Sequence, residues 1–315
     1  MKKFLTRLFI FLLPVILVIG LWEYGLGKIP NSYTLKREQL EAQAPKIEVL
    51  VLGGSYSLRG INPDYFSMRG YNVANVEQSL YYDTRITLKY LDKMTSLKVV
   101  LIAISYHGLW WQVNEGQEGF RDYFYADYWD IWYPTIKCYD INVYSKILQY
   151  SNDRAFQFAL NGFKANLVAE YQDNGWAPKM RSPAPINDSI GNATMAFHKN
   201  SFKKENLDNN IKDLNNLLSA LKARNITPVL LSTPVTSCNY KFMEPSRLKS
   251  IDSVISGLCK TYNCKWYDYH NDARFTNDDF KDVAHLNKDG ATKFSKIIDE
   301  EILKKYNSTQ VSKQP

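Results

Sequence analysis

The chain carries a serine directly behind two glycines, in Gly53-Gly54-Ser55-Tyr56-Ser57, and an aspartate and a histidine three residues apart, in Asp282-Val283-Ala284-His285-Leu286-Asn287. A serine hydroxyl is a weak nucleophile near neutral pH and needs a neighbouring base. An imidazole serves as that base when a carboxylate fixes its tautomer and stabilises its cation. Asp282 can do this for His285 through one tight turn, and the chain holds only four histidines. Together these residue types supply acyl transfer through a serine ester. Taken alone, Ser55 reads as a turn serine capping a helix; the Asp-x-x-His element gives it a partner. Asp268 and His270 alternate along one predicted strand and form a rival acid–base pair, but no nucleophile precedes them at a suitable turn. His198 is isolated. No His-Glu-x-x-His, Walker loop or Gly-x-Gly-x-x-Gly is present, which argues against a zinc protease, an NTPase and a dinucleotide enzyme. No metal and no cofactor is expected.

For residues so far apart to act together, the elements between them must bring both to one edge. Residues 47–52 are an apolar run ending at Gly53-Gly54, the pattern of a strand buried on both faces. Residues 71–76, 98–105, 227–233 and 265–269 predict four further strands. Helices are expected at 79–94, from Glu205 onward (Leu207, Ile211, Leu214, Leu217, Leu218 and Leu221 on one face), at 246–261 and at 287–305. This alternation predicts an α/β, flavodoxin-like three-layer sandwich around a parallel sheet of about five strands. Sites in such sheets lie beyond the carboxyl ends of the strands. Ser55 follows the first strand and His285 follows the last.

The expected organisation is a membrane segment at 1–27, a linker at 28–45, an α/β domain at 46–306 and a polar tail at 307–315. An aromatic-rich insertion at about 107–200 interrupts the domain, with Trp110, Trp111, Tyr123, Phe124, Tyr125, Tyr128, Trp129, Trp132 and Tyr133. Such rings are core residues by default, each burying roughly 150–250 Å²; two or three facing the site would suffice to stack on sugar rings. Residues 8–22 are uncharged and apolar behind Lys2, Lys3 and Arg7, as in a cleaved signal peptide or a signal anchor. The bulky Ile19-Gly20-Leu21-Trp22-Glu23 offers no small-x-small cleavage site, and Trp22 and Tyr24 suit a membrane interface, which favours the anchor. The body of the chain is then extracytoplasmic, periplasmic or at the cell surface.

With 315 residues, 45% of them apolar and 23% charged, the chain suits one large or two modest globular domains and is no disulfide miniprotein, fibre or disordered chain. Lys and Arg number 39 against 32 Asp and Glu, an excess spread without a basic stripe, so no nucleic-acid partner is expected. Cys138, Cys238, Cys259 and Cys264 allow three pairings or four buried thiols, with Cys259 and Cys264 close enough in sequence to bridge. No Cys-x-x-Cys pair supports a zinc site.

Gly53-Gly54-Ser55-Tyr56-Ser57 after a first strand, joined to Asp282-x-x-His285 before a final helix, resembles the SGNH/GDSL hydrolase superfamily. The likeness spans 46–105 and 205–305. Gly54 stands where that family usually has aspartate, Glu77 falls near its middle glycine block, and His107 takes the place of its asparagine. The resemblance implies Ser55 as nucleophile, His285 as general base and Asp282 as its orienting carboxylate. It also implies oxyanion donors at the Ser55 N–H, beside Gly54, and at the N–H of Glu77, with a ring N–H of neutral His107 in the asparagine's stead. Envelope-anchored relatives act in O-acetylation or D-alanylation of surface polymers. The expected function is therefore a membrane-anchored esterase or O-acyltransferase on envelope polysaccharide, its partners an acylated carbohydrate and a membrane acyl donor. The alternatives are a non-catalytic polysaccharide-assembly or binding protein and a D-alanyl-transfer protein.

Overall fold

The structure, a computed structural model, describes residues 1–113, 119–150, 160, 168–180, 182, 184–199 and 202–306; the expected polar tail at 307–315 lies outside them. The apolar runs form β1 (Val49–Leu52), β2 (Gly70–Asn72), β3 (Val99–Ala103), β4 (Thr227–Leu231) and β5 (Lys265–Tyr267). They make one sheet in the order β2-β1-β3-β4-β5, every neighbouring pair parallel. Val51 lies opposite Leu101, and Leu101 opposite Val229, so β-branched and leucine side chains stack across the sheet. Every residue of β1 is buried, as a strand covered on both faces requires.

Val49, Val51, Leu101 and Leu231 pack with Phe294 and Ile298 of the closing helix on one face. Side chains alternate along a strand, so Leu50, Leu52, Val100 and Ile102, fully buried, occupy the opposite face. The structure is thus the expected α/β three-layer sandwich. The later four strands end before their expected runs do because the chain bends away at their carboxyl ends while single ladder bonds persist; β1 is instead shorter at its start. The N–H of Val73 still donates to Val51 O at 3.0 Å, and that of Ile104 to Leu231 O at 2.8 Å. These bends open the edge where the site lies. The sheet order reverses between β1 and β3, the switch point at which such folds hold ligands.

Two compact units make up the chain: Met1–Leu35 with Phe120–Ala169, and Lys36–Gly119 with Glu170–Pro315. The first contains α1 (Lys2–Leu26), long and apolar enough to cross a membrane. Half of the expected insertion groups with it. There α5 (Arg121–Trp129), α6 (Ile141–Tyr144) and α7 (Lys146–Gln149) follow one another, and Phe124, Tyr125 and Trp129 are buried. Tyr33 meets Phe124 at 5.2 Å and Tyr125 edge-on at 5.0 Å, so these aromatics form a core.

Residues 28–45, read as a linker, carry a helix, α2 (Ser32–Gln43), instead. Its inward face holds Leu40 and, fully buried, Lys36, whose Nζ donates to Asn72 O at 2.8 Å and Gly175 O at 2.7 Å. A charged residue at an inward position hides the helical period from a hydrophobicity pattern. Burial, with a smaller contribution from Arg59, pushes the Lys36 pKa well below the ordinary lysine value.

Candidate active site

At the end of β1 the backbone of Gly53 adopts φ +129°, a region that residues with a Cβ rarely enter. A Cβ there would also stand 2.5 Å from Ser57 Oγ and 3.2 Å from Ala103 Cβ. Gly54 needs no such freedom: its φ of −87° is open to any residue. It is the N-cap of α3 (Ser55–Gly60), so Ser55 begins the helix and its N–H has no acceptor within it.

The second half of the site hangs from the closing helix, α12 (Lys288–Ile298). Asn287 caps it, accepting the N–H groups of Asp289 and Gly290 at 3.0 Å each. Just upstream, Phe280 and Leu286 form an antiparallel bridge, and the Lys281 N–H donates to His285 O at 2.8 Å. The tight loop between them presents Asp282 and His285. Oδ1 of Asp282 accepts the backbone N–H groups of Ala284 and His285, at 3.0 and 2.9 Å, and faces His285 Nδ1 at 3.0 Å. Lys281 Nζ donates to Oδ2 at 2.8 Å. Burial alone would raise the Asp282 pKa, but the bond and charge of His285, with the Lys281 and Ala284 contacts, hold it well below the usual carboxylate range. The carboxylate therefore stays ionised near neutrality. Thr236 anchors the loop from the β4 side, its Oγ1 donating to Val283 O at 2.8 Å.

Ser55 Oγ lies 2.9 Å from His285 Nε2, across 230 positions of sequence. With the proton on Nδ1 held by Asp282, Nε2 is free to accept from the hydroxyl. This arrangement can transfer a proton from serine to imidazole as the oxygen attacks a carbonyl.

A small cleft beside Ser55 is lined by Glu77, Gln78, Asp83, His107 and Trp111. Glu77 has a positive φ of 53°, a conformation suited to glycine, at the third position of a turn in which the Gln78 N–H donates to Asn75 O at 3.2 Å. His107 is buried, and among the described residues its Nδ1 has no hydrogen-bond partner. Its ring stacks on His198 at 4.3 Å and 8°, and meets Trp111 edge-on at 6.0 Å. Burial, reinforced by His198 and His285, pushes the His107 pKa well below the usual value. Burial, then His285, lowers that of His198 to about 4. Both rings are therefore neutral near pH 7. Of the aromatic residues in the expected insertion, Trp111 is the one that lines the cleft among the described residues.

Four neighbours escaped the sequence reading. Tyr56 stacks on His285 at 4.8 Å and 28°; its place beside Ser55 was the available signal. His198 belongs to α8 (Asp188–Lys199), where Gly191 lets the helix seat on the backbone of Cys238; no sequence pattern links it to His107. Asp83 and Gln78 form the fourth wall. Asp83 Oδ1 accepts the Gly53 N–H at 3.0 Å and the Gln78 amide at 2.6 Å, tying the serine turn to the loop after β2.

Burial raises the Asp83 pKa to about 7 against those two bonds. The folded state therefore holds this proton more tightly than the unfolded chain, whose aspartate titrates near 4. The resulting stabilisation is complete below about pH 4 and disappears as pH rises through about 7. One proton limits the slope to about 1.4 kcal/mol per pH unit. In Asp83→Asn an amide oxygen still accepts both bonds, so the variant should show a flatter decline in urea stability between pH 5 and 8. An unchanged slope would assign the decline to other groups.

The rival pair also meets. His270 Nδ1 lies 2.7 Å from Asp268 Oδ1, but the adjacent Ser232 donates its hydroxyl to the same oxygen at 2.6 Å. That serine faces the carboxylate and not the imidazole, so it has no base. His270 is almost wholly buried, and its carbonyl accepts the Val235 N–H at 3.1 Å. The pair fastens β5 to the loop that supports Thr236. Cys138, Cys238, Cys259 and Cys264 are free thiols; the Cys259 and Cys264 sulfurs lie 3.0 Å apart.

Residues 186–302 match the DltD protein family. A candidate acylhydrolase from Bacteroides fragilis is similar at 14% identity, with 88% of this chain and 99% of that chain covered and a TM-score of 0.42. A GDSL-like lipase from Bacteroides thetaiotaomicron is similar at 13% identity, with 87% and 100% covered and a TM-score of 0.42. No curated protein sequence matches significantly. The family match covers the segment that bears Asp282 and His285.

Proposed function

We propose that this chain is an SGNH/GDSL-type, membrane-anchored serine esterase or O-acyltransferase acting on an acylated envelope polysaccharide. The observation that carries the reading is the 2.9 Å approach of Ser55 Oγ to His285 Nε2, with Asp282 behind the imidazole. Ser55 Oγ forms a bond to the ester carbonyl carbon while its proton passes to Nε2. The carbonyl oxygen becomes an oxyanion, held by the Ser55 N–H and by groups at Glu77 and His107, with Gly54 leaving the approach open. The carbon–oxygen bond to the leaving alcohol then breaks, and the alcohol takes the proton from His285. Water or a sugar hydroxyl resolves the acyl-serine by the same steps in reverse.

The neutral His107 ring, backed by His198, and Trp111 in the cleft favour an uncharged, flat-faced ligand such as a sugar. The DltD match favours a second reading, D-alanyl transfer, which uses the same serine chemistry with an aminoacyl group and an acyl-donor partner at the membrane. In either reading α1 spans the membrane and holds the site on its extracytoplasmic side.

Treatment of the full-length protein with a fluorophosphonate, followed by peptide mass spectrometry, tests the chemistry. One adduct is expected, on Ser55. Folded protein that takes up no probe, or takes it up elsewhere, would instead indicate a binding protein that keeps the fold.

A further inference from the structure

We infer that α6 and α7, with the loop before them, form a second membrane contact, a shelf lying in the lipid headgroup boundary beside the end of α1. The inference rests on the reading of α1 as membrane-spanning. At 1.5 Å per residue α1 is about 37 Å long, whereas a hydrocarbon core is about 30 Å thick. Its last turns, with Trp22, Glu23 and Tyr24, therefore stand at the interface. There Glu23 accepts the N–H groups of Lys146 and Ile147 and the Ser145 hydroxyl. These bonds fix the start of α7 at the depth where α1 leaves the lipid.

The side chains of this segment are arranged inside out for a water-soluble surface. Tyr139 is 81% exposed, Ile141 62%, Tyr144 55% and Leu148 54%. In α7 the polar groups turn inward. Lys146 Nζ pairs with Asp127 and lies 4.5 Å from the centre of the Tyr128 ring, and the Gln149 amide donates to Val143 O at 2.6 Å. Tyr144 keeps an exposed ring while its hydroxyl donates to Cys138 O at 2.6 Å. Tyrosines, with an apolar ring and a polar hydroxyl, suit the headgroup level. Lys28, whose Nζ lies 4.7 Å from the Tyr24 ring centre, supplies a cation at the end of α1. Short elements with apolar outer faces, fastened beside a spanning helix, match a surface that lies in the interface plane. The occupant is lipid, because the Glu23 tether leaves these side chains no other depth.

The test uses full-length protein in phosphatidylcholine vesicles, in a Cys138→Ser background that removes the exposed thiol. An environment-sensitive fluorophore is attached through Leu148→Cys, Ile141→Cys or, as reference, Leu12→Cys in the middle of α1. Labels at 148 and 141 should be shielded from iodide and lose most of their emission to lipids brominated near the headgroup. The label at 12 should respond to lipids brominated near the chain ends. Quenching at 12 with none at 148 or 141 would overturn the shelf, and shielding from iodide without bromolipid quenching would assign the surface to a protein partner. No bromolipid response at 12 would overturn the spanning reading and the shelf with it. Because these side chains are exposed, the labels do not disturb packing.

Discussion

Ser55→Ala should lower hydrolysis of a nitrophenyl ester of a short acyl group by about a thousandfold or more, with residual turnover only from binding and oxyanion contacts. Among the described residues the Ser55 hydroxyl is bonded to His285 Nε2. Its removal leaves the turn at Gly53 and the start of α3 untouched, so stability should change by no more than about 0.5 kcal/mol. Urea denaturation and turnover, measured on the same preparation, separate the two effects. A variant that folds normally and keeps wild-type turnover would remove Ser55 from the chemistry and leave the Ser55–His285 contact without a catalytic role.

Asp282→Asn should lower turnover by about 10⁴-fold, the loss expected when a catalytic imidazole takes the wrong tautomer. The geometry gives the reason. Oδ1 of Asp282 accepts two backbone N–H groups, from Ala284 and His285, so an asparagine must keep its oxygen there. Its amide nitrogen then takes the place of Oδ2, 3.2 Å from His285 Nδ1. An N–H facing Nδ1 drives the ring proton to Nε2, toward Ser55, where it blocks acceptance of the serine proton. Nitrogen-15 NMR of the His285 ring should show the proton moved to Nε2. A variant with unchanged turnover and unchanged tautomer would reduce Asp282 to a loop support.

The two losses should not add. In Ser55→Ala the imidazole has no proton to take, so a further Asp282→Asn change should have little additional effect on turnover. Its remaining consequence lies in stability. Asp282 has a depressed pKa in the fold, so its contribution is present above the unfolded aspartate value and is lost as pH falls below it.

How much of this was legible beforehand depended on the range over which each signal acts. The apolar runs of β1 and β3 announce buried strands because a strand covered on both faces has no polar side to disguise it. The Asp282-x-x-His285 spacing is local, and the loop that joins the two is only one turn long. By contrast, α2 stayed hidden because Lys36 occupies an inward position that a polar residue seldom fills. The mutual approach of His107 and His198 was invisible for another reason. It depends on Gly191 admitting α8 against the backbone at Cys238, and nothing near either histidine reports that contact. The Asp83 wall was hidden likewise, since its acceptors serve a glycine 30 positions upstream and a glutamine five positions upstream.

By itself the sequence determined the layered α/β plan, the apolar N-terminal helix and the local pairing of Asp282 with His285, because hydrophobic period and tight-turn chemistry act within a few residues. Tertiary structure alone decided which histidines stack, which serine meets an imidazole and which meets only a carboxylate. Ser55 and Ser232 both follow strands, and Asp268-x-His270 is as compact a pair as Asp282-x-x-His285. Distances near 3 Å between segments far apart in the chain arise only after every intervening element has packed, and hydrogen bonding at that range tells one serine from the other.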